Sequence, residues 1–369
     1  MNGRRSKNSW TEIQSRSIDL LRFPMAVAVV MLHYSTSVIS DASGTLKVFC
    51  VVFQEGLCRL AVPCFFLISG YLFYNQLQEW DWIIWKRKIK SRVRTLLVPY
   101  ILWIIIDFFA YWLYSLILGE GTSVVEQFTK VGGIRIFWGT DGGIPISIRS
   151  VPLDGPLWFI RDLMYYTLAT PLLYYFITKT GKYGVAAVIF AFLLTGGIIP
   201  EGFVFFLVGS FLQLEKKNIC ELVWPRRRLL YISALALVVI FYCVHDLNYW
   251  NRLIKNLFIF VGIGAVFCLA TWLLQTKKIK VNLFLVQSSF FIFAAHEVLI
   301  LRQIAVPCVR LLFPVNGPAA DCIRYFLVPA VAVLICLLIL RLLKILVPNI
   351  ANILTGARQS NPKSLPNIG

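Results

Sequence analysis

Over 369 residues the chain is 58% hydrophobic and 15% aromatic, only 15% of it is charged, and its mean hydropathy is +0.74. A soluble domain of this length cannot hide so much apolar surface, so the composition excludes a water-soluble globule and makes the bilayer the solvent. The formal net charge of +18 would suit a nucleic-acid binder, but the placement of the charges between apolar segments argues for topology instead.

Apolar windows fall at 18–40, 56–74, 96–118, 156–178, 183–200, 201–215, 229–245, 256–274, 281–301 and 325–347. The sixth is short, and Pro200 and Gly202 blur its border with the fifth, so about ten spans are predicted, with nine or eleven left open. Lys and Arg concentrate in alternate connections, at 4–16, 86–94, 179–182, 216–228, 277–280 and 341–363. By the positive-inside rule those segments face the cytoplasm, and so do both termini. The expected fold is an all-α polytopic integral-membrane helix bundle, multi-pass in a bacterial inner (plasma) membrane. It consists of a cytoplasmic tail at 1–17, the membrane unit at 18–347, and a cytoplasmic tail at 348–369 whose RQSNPKSLPNIG ending reads as disordered. No connection is long enough for a further folded domain, so any chemistry is expected within the membrane unit.

The first span is too long and too polar for a signal-peptide core, and no small-residue cleavage site follows it, so it is expected to stay as an anchor. It holds Arg22 and His33, eleven residues apart, which at about 100° per residue share nearly one face and stand roughly 16 Å apart along the axis. An ionisable group at membrane depth is costly enough to make function the default reading. In the second span Glu55 and Arg59 are spaced to pair, while Ser69 beside Gly70 reads as small residues for close helix packing. A basic run with Arg87, Lys88, Arg92 and Arg94 precedes the third span, which carries Asp107. The Gly-rich stretch 119–155, with its GTDGGIP, is expected to cap the outer mouth.

Trp158, Arg161 and Asp162 open the fourth span, and His296 with Glu297 lies late in the ninth. At 1.5 Å per residue, His33, His296 and Arg161 all come out near 22 Å from the inner edge, in one layer of a core about 30 Å thick. His245, close to a span end, reads as an interfacial residue. The nine cysteines are scattered and make no metal-ligand spacing, so no metal is predicted; Cys308 and Cys322 share the last outer loop, where a disulfide is conceivable.

The segments IDLLRFPMAVAVVMLHYS, VPCFFLISGYLF, RVRTLLVPYILW, PLWFIRDLMYY and SSFFIFAAHEVL occur in that order. Together they resemble the acyltransferase type 3 family of integral-membrane acyltransferases, which acylate cell-envelope glycans and related acceptors. The resemblance runs over about 18–347. It implies a ten-helix unit using a cytoplasmic acyl-CoA donor, with acetyl-CoA the commonest, and no tightly bound cofactor. It also implies that Arg22 and His33 are the functional pair.

The residues suit such chemistry. Acyl transfer needs a base for a hydroxyl, or a nucleophile to carry the acyl group, and an imidazole titrating near neutrality can be either. No GxSxG elbow is present, which disfavours a serine triad. Arg87, Lys88, Arg92 and Arg94 can hold the donor's phosphates, or equally serve as a positive-inside anchor. Arg161, Trp158, His296, Glu297 and Asp107 are expected to bind substrate at the outer side. The partners so implied are acyl-CoA, a glycan or lipid-linked glycan acceptor and membrane lipid, with no nucleic acid. A transporter using the intramembrane His and Arg as relay groups is the rival reading, weakened by the lack of an inverted repeat.

Overall fold

The structure, a computed structural model, describes residues 2–39, 48, 51–75, 77, 79–117, 119, 121–139, 151–195, 198–244, 248–315 and 317–356. Among these no strand occurs, as a backbone in lipid requires: every polar group must find a partner within its own segment. Seven helical stretches are long and apolar enough to cross a membrane: Ser9–Tyr34, Val52–Phe73, Trp82–Ile117, Thr170–Thr195, Tyr249–Gln275, Leu283–Leu312 and Ala319–Leu346.

The difference from the ten windows has three local causes. Helix α6 (Trp158–Leu168) is only 11 residues long and runs into α7 (Thr170–Thr195). Within α7, Gly181 has φ 57° and ψ −145°, a conformation that needs glycine, and it breaks the rod where Lys179 and Lys182 mark the connection between the fourth and fifth windows. Helices α8 (Glu201–Leu214) and α10 (Arg227–Cys243), of 14 and 17 residues, are short of a full crossing.

Helix α1 (Asn2–Ile39) begins long before Ile18, and Gln14 and Ser17 are buried, so residues 2–17 are helical and continuous with the first span. The expectation of a disordered C-terminal tail is corrected over its first part. After α14 (Pro318–Leu346), α15 (Pro348–Leu354) buries Ala351 and Leu354, and the Leu354 carbonyl accepts from Trp103 Nε1 at 3.2 Å. The RQSNPKSLPNIG segment lies outside the described residues, as do His245, Cys50 and most of GTDGGIP. Cys308 and Cys322 are free thiols.

The tightest helix packing joins α2 (Ala61–Phe73) to α8. A Cβ at Gly70 would collide with the Phe206 carbonyl, and one at Gly209 with that of Leu67, so the two backbones touch. Gly70 thus does what its small size suggests. Ser69 instead lines a cavity. Around this contact Phe66, Phe205, Phe206 and Phe291 are fully buried, and Phe66 meets Phe159 edge-on at 4.5 Å.

The stretch after α4 (Val98–Ile117) does not simply cap the bundle. Trp112 Nε1 donates to the Thr122 carbonyl at 3.0 Å, the Phe128 ring in α5 (Val124–Lys130) stands 5.7 Å from Phe108, and the Tyr100 hydroxyl donates to the Phe137 carbonyl. From 122 to 137 the chain therefore travels back along α4 from residue 112 to residue 100, about 18 Å. Irregular backbone at such depth survives only where protein satisfies it. Here the carbonyls of Ile136, Phe137 and Trp138 accept from Leu153 N, Tyr100 Oη and Arg161 Nη1 in turn.

Candidate functional site

His33 comes from α1, and His296 and Glu297 from the point where α12 (Leu283–Ala295) opens into a π-helical stretch, His296–Ala305. The wider π turn re-aims side chains at the cost of weaker hydrogen bonding, and such turns recur at functional sites. His33 Nδ1 lies 3.4 Å from Glu297 Oε2, and the two imidazoles meet edge-on with centroids 5.1 Å apart. The other carboxylate oxygen of Glu297 accepts from Arg302 Nη2 at 2.7 Å.

Nδ1 is the nitrogen that His33 turns to the carboxylate. His296 is fully buried, and its Nδ1 lies 3.0 Å from the carbonyls of both Ile292 and Phe293, so Nδ1 carries the hydrogen. Its Nε2 is then a buried acceptor with no hydrogen-bond partner.

Two further carboxyls stand behind Glu297. Asp107 on α4 is buried with Oδ2 unpartnered, and Asp154 is wholly buried with neither oxygen hydrogen-bonded. Gly155 follows immediately, and a Cβ there would stand 2.7 Å from Glu297 Oε2.

Arg161 is not in the His33 layer. Its helix starts deep in the bundle, with Gly155 already level with Glu297, so Arg161, six residues on, sits about 9 Å nearer the opposite end. There it holds Asp162 at 2.8 Å and donates to the Trp138 carbonyl at 2.6 Å. It also lines an apolar cleft of about 300 Å³ with Tyr100, Phe137, Trp138 and Tyr165. Trp158 packs its ring on Phe66 at 6.2 Å.

Arg22 points to the other end of α1, 3.4 Å from Asp19. It lines a cavity of about 460 Å³ together with Ser69, Lys88, Ser91, Arg92 and Thr95. Of the basic run, Lys88 and Arg92 thus turn toward Arg22, while Arg87 and Arg94 are exposed and outside the lining. Arg59 and Glu55 make the expected pair, at 3.1 and 3.2 Å.

The sequence reading left out Asp154, Gly155 and Arg302. Asp154 and Gly155 directly precede the PLWF segment, but an Asp-Gly-Pro run reads as an ordinary turn until its depth is known.

A family model described as an acyltransferase domain matches residues 15–342, nearly the whole membrane unit. The chain is also similar to the succinoglycan biosynthesis protein ExoH of Rhizobium meliloti (strain 1021). The two are 26% identical over 368 residues, covering 93% of this chain and 92% of that protein. No solved structure matches the chain.

Proposed function

Since the chain belongs to the acyltransferase type 3 family, we propose that it moves an acyl group from cytoplasmic acyl-CoA to a hydroxyl of a cell-envelope glycan. The similarity to a succinoglycan biosynthesis protein favours a glycan acceptor, free or lipid-linked. In this reading ten segments cross a bacterial inner membrane, short helices included, and both termini are cytoplasmic. Acetyl is the expected group, with succinyl or longer chains open.

The observation that carries the reading is the His33–Glu297 pair beside the buried His296. His33 Nε2 takes the proton of the acceptor hydroxyl as its oxygen attacks the thioester carbonyl carbon. Glu297 holds Nδ1–H and steadies the imidazolium. The tetrahedral intermediate expels the CoA thiolate, which recovers the proton from His33, leaving an ester and a free thiol. A covalent acyl-His33 carrier uses the same contacts in two steps.

The donor enters from the Arg22 end, where Arg22, Lys88 and Arg92 offer three cations to its phosphates. Its extended pantetheine arm then covers the roughly 16 Å along α1 from Arg22 to His33. Arg161, Trp158, Asp107 and His296 serve the acceptor side, directly or by holding the walls.

Purified protein in proteoliposomes, given labelled acyl-CoA and an envelope glycan, tests this directly. His33→Ala is expected to lose 10²–10⁴-fold in kcat, as when a general base is removed, and to keep its melting temperature. Full activity in that variant would overturn the assignment. Mass spectrometry of glycans from a deletion strain identifies the group and its carrier.

A further inference from the structure

A second polar cavity, of about 520 Å³, adjoins the cationic one and shares Arg22 and Leu72 with it. It is walled by residues 11–22 of α1, the end of α2, the end of α8 and α9 (Ile219–Val223). We propose that this cavity binds the nucleoside end of the donor, so that a nucleotide-bearing thioester is selected over a shorter pantetheine or phosphate donor. This rests on the acyl-CoA reading above.

The chemistry of the walls points that way. Two of its amides are already committed to structure: Gln14 Oε1 accepts from Ile219 N, and Asn218 accepts from Glu221 N at 3.0 Å while donating to the Trp10 carbonyl at 3.0 Å. They make a rigid frame. Gln213 differs, because its Oε1 is buried without a hydrogen-bond partner and so wants an N–H or O–H donor. Asp19 and Glu221 are also acceptors, suited to vicinal hydroxyls. A nucleoside offers both kinds of donor, an exocyclic amine and ribose hydroxyls.

The charge distribution fits the rest of the molecule. Arg22 stands at the junction of the two cavities, where a diphosphate joins the nucleoside to the arm, with Lys88 and Arg92 on the far side. Lys216 at the rim can meet a ribose phosphate. Each volume lies in the range of ligand pockets, and the pair suits a long two-ended ligand better than a compact one.

The test uses adenosine 3′,5′-bisphosphate, the nucleotide half alone, on the full-length protein in detergent. It is expected to bind and to compete with acyl-CoA. Gln213→Leu is expected to weaken that binding about tenfold, the loss of one good hydrogen bond. Ser15→Trp, an exposed rim position, fills the cavity without touching the core and is expected to weaken it at least as much. Equal binding in wild type and both variants overturns the proposal. If acyl-CoA is used and the bisphosphate neither binds nor competes, this inference falls and the acyl-CoA reading stands. If acyl-CoA is no donor at all, both fall.

Discussion

Gly155 is pressed so closely against Glu297 that a single added methyl would stand 2.7 Å from Oε2, the oxygen that faces His33. Backbone from the segment that leads into α6 thus sets where the carboxylate can sit. In Gly155→Ala the carboxylate must swing away from His33, and kcat is expected to fall about 10–100-fold with KM for the donor within twofold. Shortening the acid in Gly155→Ala/Glu297→Asp makes room again and is expected to recover part of kcat. Steady-state kinetics on the wild type and the two variants checks this. Undiminished kcat in Gly155→Ala would show that the carboxylate does not need its place.

Much of this site was legible in the sequence, because intramembrane charge is rare and expensive. His33, His296 and Glu297 stood out in apolar runs, and counting residues from span ends put both imidazoles at one depth, where they do meet at 5.1 Å. The same counting failed for Arg161 because it assumed that every apolar window starts at the membrane surface. The window at 156–178 starts inside the bundle, fed by a segment whose descent depends on Tyr100, Leu153 and Arg161 capping consecutive carbonyls. Those are contacts between residues 17 to 37 apart, invisible to local periodicity. Orientation of the basic run was likewise hidden: Lys88 and Arg92, one turn apart on α3 (Trp82–Arg92), line one cavity with Arg22, a long-range contact that local spacing does not show.

Gly70 illustrates two effects of opposite sign. Replacing a mid-helix glycine by alanine ordinarily stabilises by up to about 1 kcal/mol through backbone entropy. Here the methyl would run into the Phe206 carbonyl, a backbone atom that cannot rotate aside. Overpacking of that kind costs about 1–3 kcal/mol, so it wins. Gly70→Ala is expected to lower the melting temperature in detergent, and Gly209→Ala to do the same through Leu67. A rise in either would mean that α2 and α8 part readily.

Arg161 is the keystone of the descending segment, and its loss separates stability from chemistry. Its guanidinium pairs with Asp162, the two side chains being only 4% and 1% exposed, and occupies the Trp138 carbonyl. Arg161→Met leaves the buried Asp162 carboxylate without its cation, which costs about 3–5 kcal/mol. Tyr100→Phe withdraws one donor, from the Phe137 carbonyl, and costs about 1–3 kcal/mol. Since both act on the same loop, the double variant is expected to lose less than the sum, because a loop already released has little more to lose. Asp162→Asn in the Arg161→Met background removes the stranded charge and is expected to return part of the stability. Melting curves and limited proteolysis within 121–155 read the effect. Strict additivity of the Arg161 and Tyr100 losses would show that the two side chains hold separate structures.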